Sequence, residues 1–381
     1  MKTWACFIKT FKENIRDWKI LILVIVFAPF FVYLMYMYLS SPEASTYKVA
    51  VLNNDAQGAF STELIGIWEN LKTEDQRPVF VIHTVNSSET AKNMIKNKNA
   101  DLFITIPADF SSSFQNYLNT RKGVLANLVN YGDQGNMKYM IAASFIDYST
   151  YSYVGNRAGI EIPLNIKYES AGAGTKSIND FDLYVPALLV LSIIMMLFTA
   201  GASIIREVEK DTITRLSLSK LTSREFMTAI SLNQILIGIA SLLLTLLAAY
   251  SVGYKTDGSI TLLLLTGILT CFSVISISII TSCFIKNMFG LLTLGCFPFF
   301  ILMFFSDCFM PLPKINLFKI LGNQVYLNDI LPTATSTRVL NKVLSYNSGI
   351  SDIQFELLWI LTLSIIYFGI GVFLFKRKYN Y

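Results

Sequence analysis

The stretch REVEKDTITRLSLSKLTSRE (206–225) carries nine charged side chains in twenty residues, four acidic and five basic. The runs on either side of it, 183–205 and 226–252, carry none. Four more uncharged windows occur at 20–39, 260–285, 287–306 and 357–375. Each is about as long as the roughly 20 residues a helix needs to cross the hydrocarbon of a bilayer. The chain is 53% hydrophobic and 15% charged, where soluble domains carry about 25% charge, and its mean hydropathy is +0.49. The fold class that follows is an α-helical polytopic membrane protein with six transmembrane helices.

Orientation follows from Lys and Arg in short segments. Lys2, Lys9, Lys12, Arg16 and Lys19 precede the first span, Arg206, Lys210, Arg215, Lys220 and Arg224 lie in the charged island, and Lys376, Arg377 and Lys378 end the chain. Six spans place all three groups on one side, the cytoplasm. The cell membrane is the expected location, with both termini cytoplasmic. The apolar run at 20–39 is longer than a signal-peptide core and no small-x-small cleavage site follows it, so it reads as an uncleaved helix. The net charge of +5 is thereby topological, and no basic, aromatic-studded soluble face points to nucleic acid.

Residues 1–19 form an amphipathic helix. Trp4, Phe7, Ile8, Phe11, Ile15 and Trp18 recur at helical spacing with the basic residues opposite. Such a helix lies at the membrane interface, its apolar face toward the lipids. Plain anchoring and contact with a cytoplasmic partner both fit this spacing.

Residues 40–180 form an inserted extracytoplasmic α/β domain. Strand-like runs (YKVAVLNND, VFVIHTV, DLFITIP, VLANLVNYG) alternate with helical ones, and 136–157 reads as a long helix. AGAGTKSIND (171–180) is a flexible linker into the second span. An outer loop, 307–356, precedes the last span; INLFKILGNQVYLNDILP and STRVLNKVLSY within it read as interfacial helices. A cytoplasmic tail, 376–381, follows.

Catalytic signatures are missing. His83, the one histidine, sits in a strand without carboxylate or Cys neighbours at ligand spacing. There is no phosphate-binding loop, nucleophile elbow or zinc motif. The five cysteines show no metal or redox spacing. The residues point to no catalytic, cofactor or metal site in this chain. Within the spans, Asn233 and Gln234 are the notable polar residues, suited either to helix packing or to a translocation route. No span carries Asp, Glu, Lys or Arg, so the energy for any transport would come from outside the chain.

Topology needs only the basic residues of the island, because acids contribute little to it. Its mixed signs suit a docking surface, with Ile213, Leu216 and Leu221 as a short apolar ridge. Ser223 is placed to cap the third span, with Glu225 in its first turn.

The order of these parts resembles the permease subunits of ABC-2 type exporters, in the subgroup with a large outer domain between the first and second spans. YKVAVLNND, ADLFITIPADFS, FDLYVPALLV, the island and ILPTATSTRVL carry the likeness. In that family the island resembles RE-x-E-x-GT-x-x-RL-x-x-x-P. Arg206, Glu207, Glu209, Thr212, Arg215 and Leu216 fit it; Asp211 replaces the usual Gly, and Leu221 stands near a common Pro. The resemblance implies a separate cytoplasmic ATPase that binds and hydrolyses ATP, coupled through Arg206, Glu207, Glu209, Asp211, Thr212, Arg215 and Leu216. It also implies a second permease subunit, the same chain or a similar one. A membrane receptor or scaffold whose outer domain binds a ligand is the alternative; an intramembrane enzyme would need paired acids, a Ser/His pair or a metal cluster within the spans.

Overall fold

The computed structural model describes residues 2–39, 46–55, 58–73, 76–122, 126–133, 136–159, 180–210, 212, 222–308, 312–320 and 322–379. The chain divides into two compact units, Tyr38–Tyr168 and the remainder, Met1–Met37 with Glu169–Tyr381.

In the first of these units, β1 (Tyr47–Asn53) is flanked by two parallel strands, β2 (Phe80–Thr84) and β3 (Leu102–Ile106). The short β4 (Val129–Tyr131) runs antiparallel beside β3, for a strand order β2-β1-β3-β4. Parallel neighbours need crossovers. These are α3 (Ala59–Asn70) between β1 and β2, and α4 (Ser88–Lys96) between β2 and β3; α5 (Phe110–Thr120) follows β3 and α6 (Met137–Ala158) follows β4. Side chains alternate across a strand, and this sorts the core into two faces. Val49, Val51, Leu102, Ile104 and Ile106 pack with Leu64, Trp68 and Phe114 from α3 and α5 and with Ile146 from α6. Ala50 and Phe103 point the other way, onto Ala91 of α4. Fully burying one such large apolar side chain contributes about 1.5–3 kcal/mol. The caps follow local chemistry: Ser87 Oγ accepts from Thr90 N at 3.2 Å at the start of α4, and Asn136 Oδ1 accepts from Lys138 N at 3.0 Å at the start of α6. His83 is exposed on the edge strand β2, and no metal-holding cluster occurs among the described residues.

Among the described residues the other unit holds six helices long and apolar enough to cross a membrane: Trp18–Leu39, Phe181–Glu209, Arg224–Ser251, Ile260–Ser282, Met288–Phe305 and Ile350–Lys378. α1 (Lys2–Arg16) precedes α2 (Trp18–Leu39), the first span. The second span is α7 (Asp180–Ile194) and α8 (Met196–Glu209), meeting at Met195. Then come α9 (Ser223–Ser251), α10 (Ile260–Ser282), the fifth span as α11 (Met288–Leu294) and α12 (Cys296–Phe305), and α14 (Ile350–Tyr379), the last span. The second span is the hub: its apolar window is buried throughout, and it packs against the third and fourth. By contrast α2 buries only the stripe Val24, Ala28 and Val32, at i, i+4 and i+8.

Small residues let these helices approach, as expected where lipid removes the hydrophobic drive between helices. A Cβ on Gly238 would come within 2.5 Å of Cys271 Sγ and 2.8 Å of Met196 Sδ, so α9, α10 and α8 meet at that glycine. Hydroxyls supply directional links. Ser278 Oγ donates to Leu197 O at 2.8 Å, and Ser273 and Ser364 share a hydrogen bond of 2.5 Å between α10 and α14.

Two expectations need correction. INLFKILGNQVYLNDILP is not helical: β5 (Asn316–Ile320) and β6 (Asn323–Tyr326) form an antiparallel hairpin, followed by a 3-10 turn at Leu327–Ile330. Gly322, at φ +84°, stands at the hairpin tip, a left-handed conformation that glycine adopts at little cost. The second segment is helical, as α13 (Pro332–Tyr346), but it is packed within the unit rather than lying on a surface. Asp329, 2% exposed, holds its start: it pairs with Arg338 at 2.9 Å and accepts from Thr335 Oγ1 at 3.1 Å.

Candidate functional site

The candidate site forms where α1 meets α8 and α9. On a helical wheel α1 presents separate faces. Trp4, Ile8, Phe11 and Ile15 remain exposed within the chain, the arrangement of an interfacial helix that gives its apolar face to lipid. Cys6, Thr10 and Asn14, spaced by four, are buried, because this small-residue stripe is the one that packs on α8 and α9. Lys9 and Glu13 form a third, charged stripe along its border, continued by Asp17 in the turn after the helix.

That third stripe meets the start of the island. Lys9 Nζ donates to Glu207 Oε1 at 2.6 Å and lies 3.8 Å from Glu13. Arg206 Nε stands 2.9 Å from Asp17 Oδ2. Two ion pairs of opposite sense, base-to-acid from α1 and acid-to-base from the turn residue that follows it, therefore bind this N-terminal segment to the end of the second span. Glu207 is only 5% exposed, and Thr212 Oγ1 donates to both its backbone oxygen, at 3.1 Å, and its carboxylate. A buried carboxylate without partners would be costly; Lys9 and Thr212 fill that need. Burial raises the Glu13 carboxyl above its ordinary value, with Lys9 opposing and Glu207 adding to the rise. Burial also raises the Cys6 thiol.

Beneath these pairs a neutral network continues inward. Ser203 Oγ donates to Asn14 Oδ1 at 3.1 Å, and Gln234 Nε2 donates to Ser203 Oγ at 3.0 Å and to Thr199 O at 3.3 Å. Thr199 Oγ1 donates back to Gln234 Oε1 at 2.8 Å. Gln234 thus bridges the second and third spans and, through Ser203, reaches α1. Its neighbour Asn233 is fully buried, and neither amide atom has a hydrogen-bond partner among the described residues.

Of the proposed coupling residues, Arg206, Glu207 and Thr212 come together here. Glu209 ends α8 with exposed surroundings. Asp211, Arg215 and Leu216, like the apolar ridge at 213, 216 and 221, lie outside the described residues. The cap at the far end of the island is Thr222, not Ser223. Thr222 Oγ1 accepts from Glu225 N at 3.3 Å while Glu225 Oε2 accepts from Thr222 N at 2.9 Å. The reason is spacing: with Thr222 at the cap, Glu225 falls three residues on and closes a reciprocal capping box; with Ser223 that position would be Phe226. Sequence reasoning missed Asn14, Asp17 and Ser203, whose partners lie too far along the chain to be read from spacing.

A family model described as ABC-2 family transporter protein matches residues 18–373. The chain belongs to this family. No curated protein matches the chain. The match runs from the first span to the last, so the transporter includes the inserted α/β unit and the island within the family's own extent, whereas α1 precedes it. As a membrane component of an ABC-2 transporter, the chain associates with an ABC ATPase subunit in the general way of the family.

Proposed function

We propose that this chain is the permease subunit of an ATP-driven exporter, and that the joint between α1 and the island is where a separate ATPase acts on it. The observation that carries this reading is the pair of oppositely directed ion pairs, Lys9–Glu207 and Arg206–Asp17, in a member of a transporter family. Because α1 and the turn after it are linked to α8 at two points and through Asn14, Ser203 and Gln234, a push on the island moves the interfacial helix and the second and third spans together. Closure of two nucleotide-loaded ATPases would supply that push; the permease contributes no nucleotide chemistry of its own. Two permease subunits, identical or similar, would then shift between access states, which requires contacts that differ between those states. The basic groups of α1, the island and the tail face the cytoplasm in this reading, and the α/β unit lies on the outer side of the cell membrane.

The test is purification of the tagged full-length protein under mild detergent, followed by mass spectrometry, in the wild type and in a Glu207→Ala/Arg215→Ala variant. An ABC ATPase that copurifies with the wild type and is lost or reduced at least tenfold in the variant, at equal expression, supports the proposal. Equal recovery of the ATPase by both would place the coupling elsewhere. Recovery of an envelope protein and no ATPase would favour a receptor or scaffold.

A further inference from the structure

The 3-10 turn at Leu327–Ile330 sorts its side chains in the reverse of a loop in water. Leu327 is 42% and Ile330 47% exposed, while Asp329 is buried against Arg338 and Thr335. A loop in water turns its carboxylate outward and its leucine and isoleucine in.

The last span measures how deep this turn stands. Tyr367 Oη donates to Ile330 O at 2.8 Å, and Trp359 Nε1 donates to Asp329 O at 2.9 Å. Counted from the start of the uncharged window 357–375, Tyr367 lies about 15 Å in, at 1.5 Å per residue. A helical side chain covers the turn on the N-terminal side of its own residue. The Ile330 carbonyl therefore stands about 10 Å below the edge of a hydrocarbon layer about 30 Å thick. The fourth span gives a concordant depth: Thr270, near the middle of α10, donates to Ser336 Oγ of α13 at 2.8 Å. The β5–β6 hairpin stands higher. Its Phe318 ring meets Trp359 at 6.5 Å, close to the window's edge, where aromatic residues gather and water reaches open strand edges.

Hydrocarbon offers no hydrogen bonds, so non-helical backbone at the depth of Ile330 must find its partners in protein. Trp359 and Tyr367 serve two successive carbonyls. Leu331 N donates to Asn328 O at 3.0 Å, and Tyr326 N donates to the Asp329 carboxylate at 2.9 Å. The same span exposes Leu358, Ile366, Ile370 and Phe373, a stripe that Trp359 and Tyr367 adjoin in sequence.

We propose that the turn 327–331 is set in the hydrocarbon of the bilayer with Leu327 and Ile330 against acyl chains, and that Trp359 and Tyr367 are the positioning residues that hold it there by engaging the carbonyls of Asp329 and Ile330. Depth and the outward apolar side chains together select lipid over water. This surface is independent of the joint at α1 and of the side from which the turn enters the membrane.

The experiment uses the full-length protein in phosphatidylcholine nanodiscs, which leave both faces open to water. An Ile330→Cys variant is treated with a charged, water-borne maleimide, and peptide mass spectrometry separates its label from that on the native cysteines. Ser351→Cys, at the exposed start of the last span, is the aqueous reference, and Ile366→Cys is the lipid reference. Ile330→Cys should react at least tenfold more slowly than Ser351→Cys and within about threefold of Ile366→Cys, because a thiol in hydrocarbon does not form the reactive thiolate. A phosphatidylcholine with a diazirine in mid-chain should label the peptide that holds 327–331. Adding Tyr367→Phe should speed the maleimide reaction at Ile330→Cys at least tenfold, as the freed carbonyl carries the turn toward water. Thr362→Val removes a hydroxyl that donates only within its own helix, to Leu358 O, and should leave the rate unchanged. Reaction of Ile330→Cys as fast as Ser351→Cys would make the turn the wall of an aqueous cavity and overturn the proposal. Disulfide formation between two Ile330→Cys copies, with no acyl-chain label, would assign the surface to a second permease subunit. An unchanged rate in Tyr367→Phe would remove the positioning role. Should Tyr367→Phe also speed hydrogen exchange throughout α10, Trp359→Phe decides by the same criterion.

Discussion

Replacing Glu207 by Ala removes the acid that holds α1 to the second span. Glu207 is nearly buried and accepts from Lys9 at 2.6 Å and from Thr212. A hydrogen bond to a charged group contributes about 1.5–3 kcal/mol. Lys9 is 39% exposed on its side chain, so water takes up part of its charge once Glu207 is gone, and the low end, about 1.5 kcal/mol, applies. Local opening of α1 then becomes about tenfold more frequent, since about 1.4 kcal/mol is a factor of ten. Hydrogen exchange of α1 amides in lipid nanodiscs reads this directly as about tenfold faster exchange, with the amides of α10 unchanged. Lys9→Ala should speed exchange at least as much, because it leaves the nearly buried Glu207 carboxylate with Thr212 alone, and the double variant should cost clearly less than the two single changes added together. A Lys9→Glu/Glu207→Lys exchange should recover part of the protection. Unchanged exchange in Glu207→Ala, or fully additive effects of the two single changes, would refute the idea that this pair holds the helix.

Thr222→Ala should cost about 1 kcal/mol at the start of α9 and speed exchange of its first turn about fivefold, while Ser223→Ala leaves it unchanged; equal effects at both positions would contradict the capping box. Arg157 first, and then Tyr153, hold the Glu63 carboxyl below its ordinary value. Its contribution to the α/β unit is therefore fully present above the usual carboxylate range and is lost as pH falls through the depressed folded value. Glu63→Gln should flatten that acid limb, as followed by exchange of the C-terminal half of α6, and an unaltered limb would rule the carboxylate out. Gly238→Ala forces a Cβ against Cys271 and Met196 and should cost about 1–3 kcal/mol, the usual range for overpacking. That cost is read as a lower melting temperature in detergent, and an unchanged one would show that the third span is free to shift.

Hydrophobic run length and charge placement, which are properties of the chain itself, determined the six spans, and the order of the motifs along it carried the resemblance to the family. A span must satisfy its backbone internally and exclude charge over about 20 residues, so it leaves a mark that no tertiary contact can hide. The same holds for β1 and β3, whose alternation of Val49, Ala50 and Val51 and of Leu102, Phe103 and Ile104 sorts the two faces of the sheet. The hairpin at 316–326 was not legible because short apolar runs fit periods of 2 and 3.6 alike, and pairing with a neighbouring strand decided between them. Only the tertiary structure showed which face of α1 is buried. The aromatic face dominates its pattern, yet Cys6, Thr10 and Asn14 make the protein contact, because close helix packing favours small residues while lipid accepts large ones. The partnership of Lys9 with Glu207, 198 residues apart, follows from the packing of α1 on α8, since pairing at that separation leaves no periodic trace in the sequence.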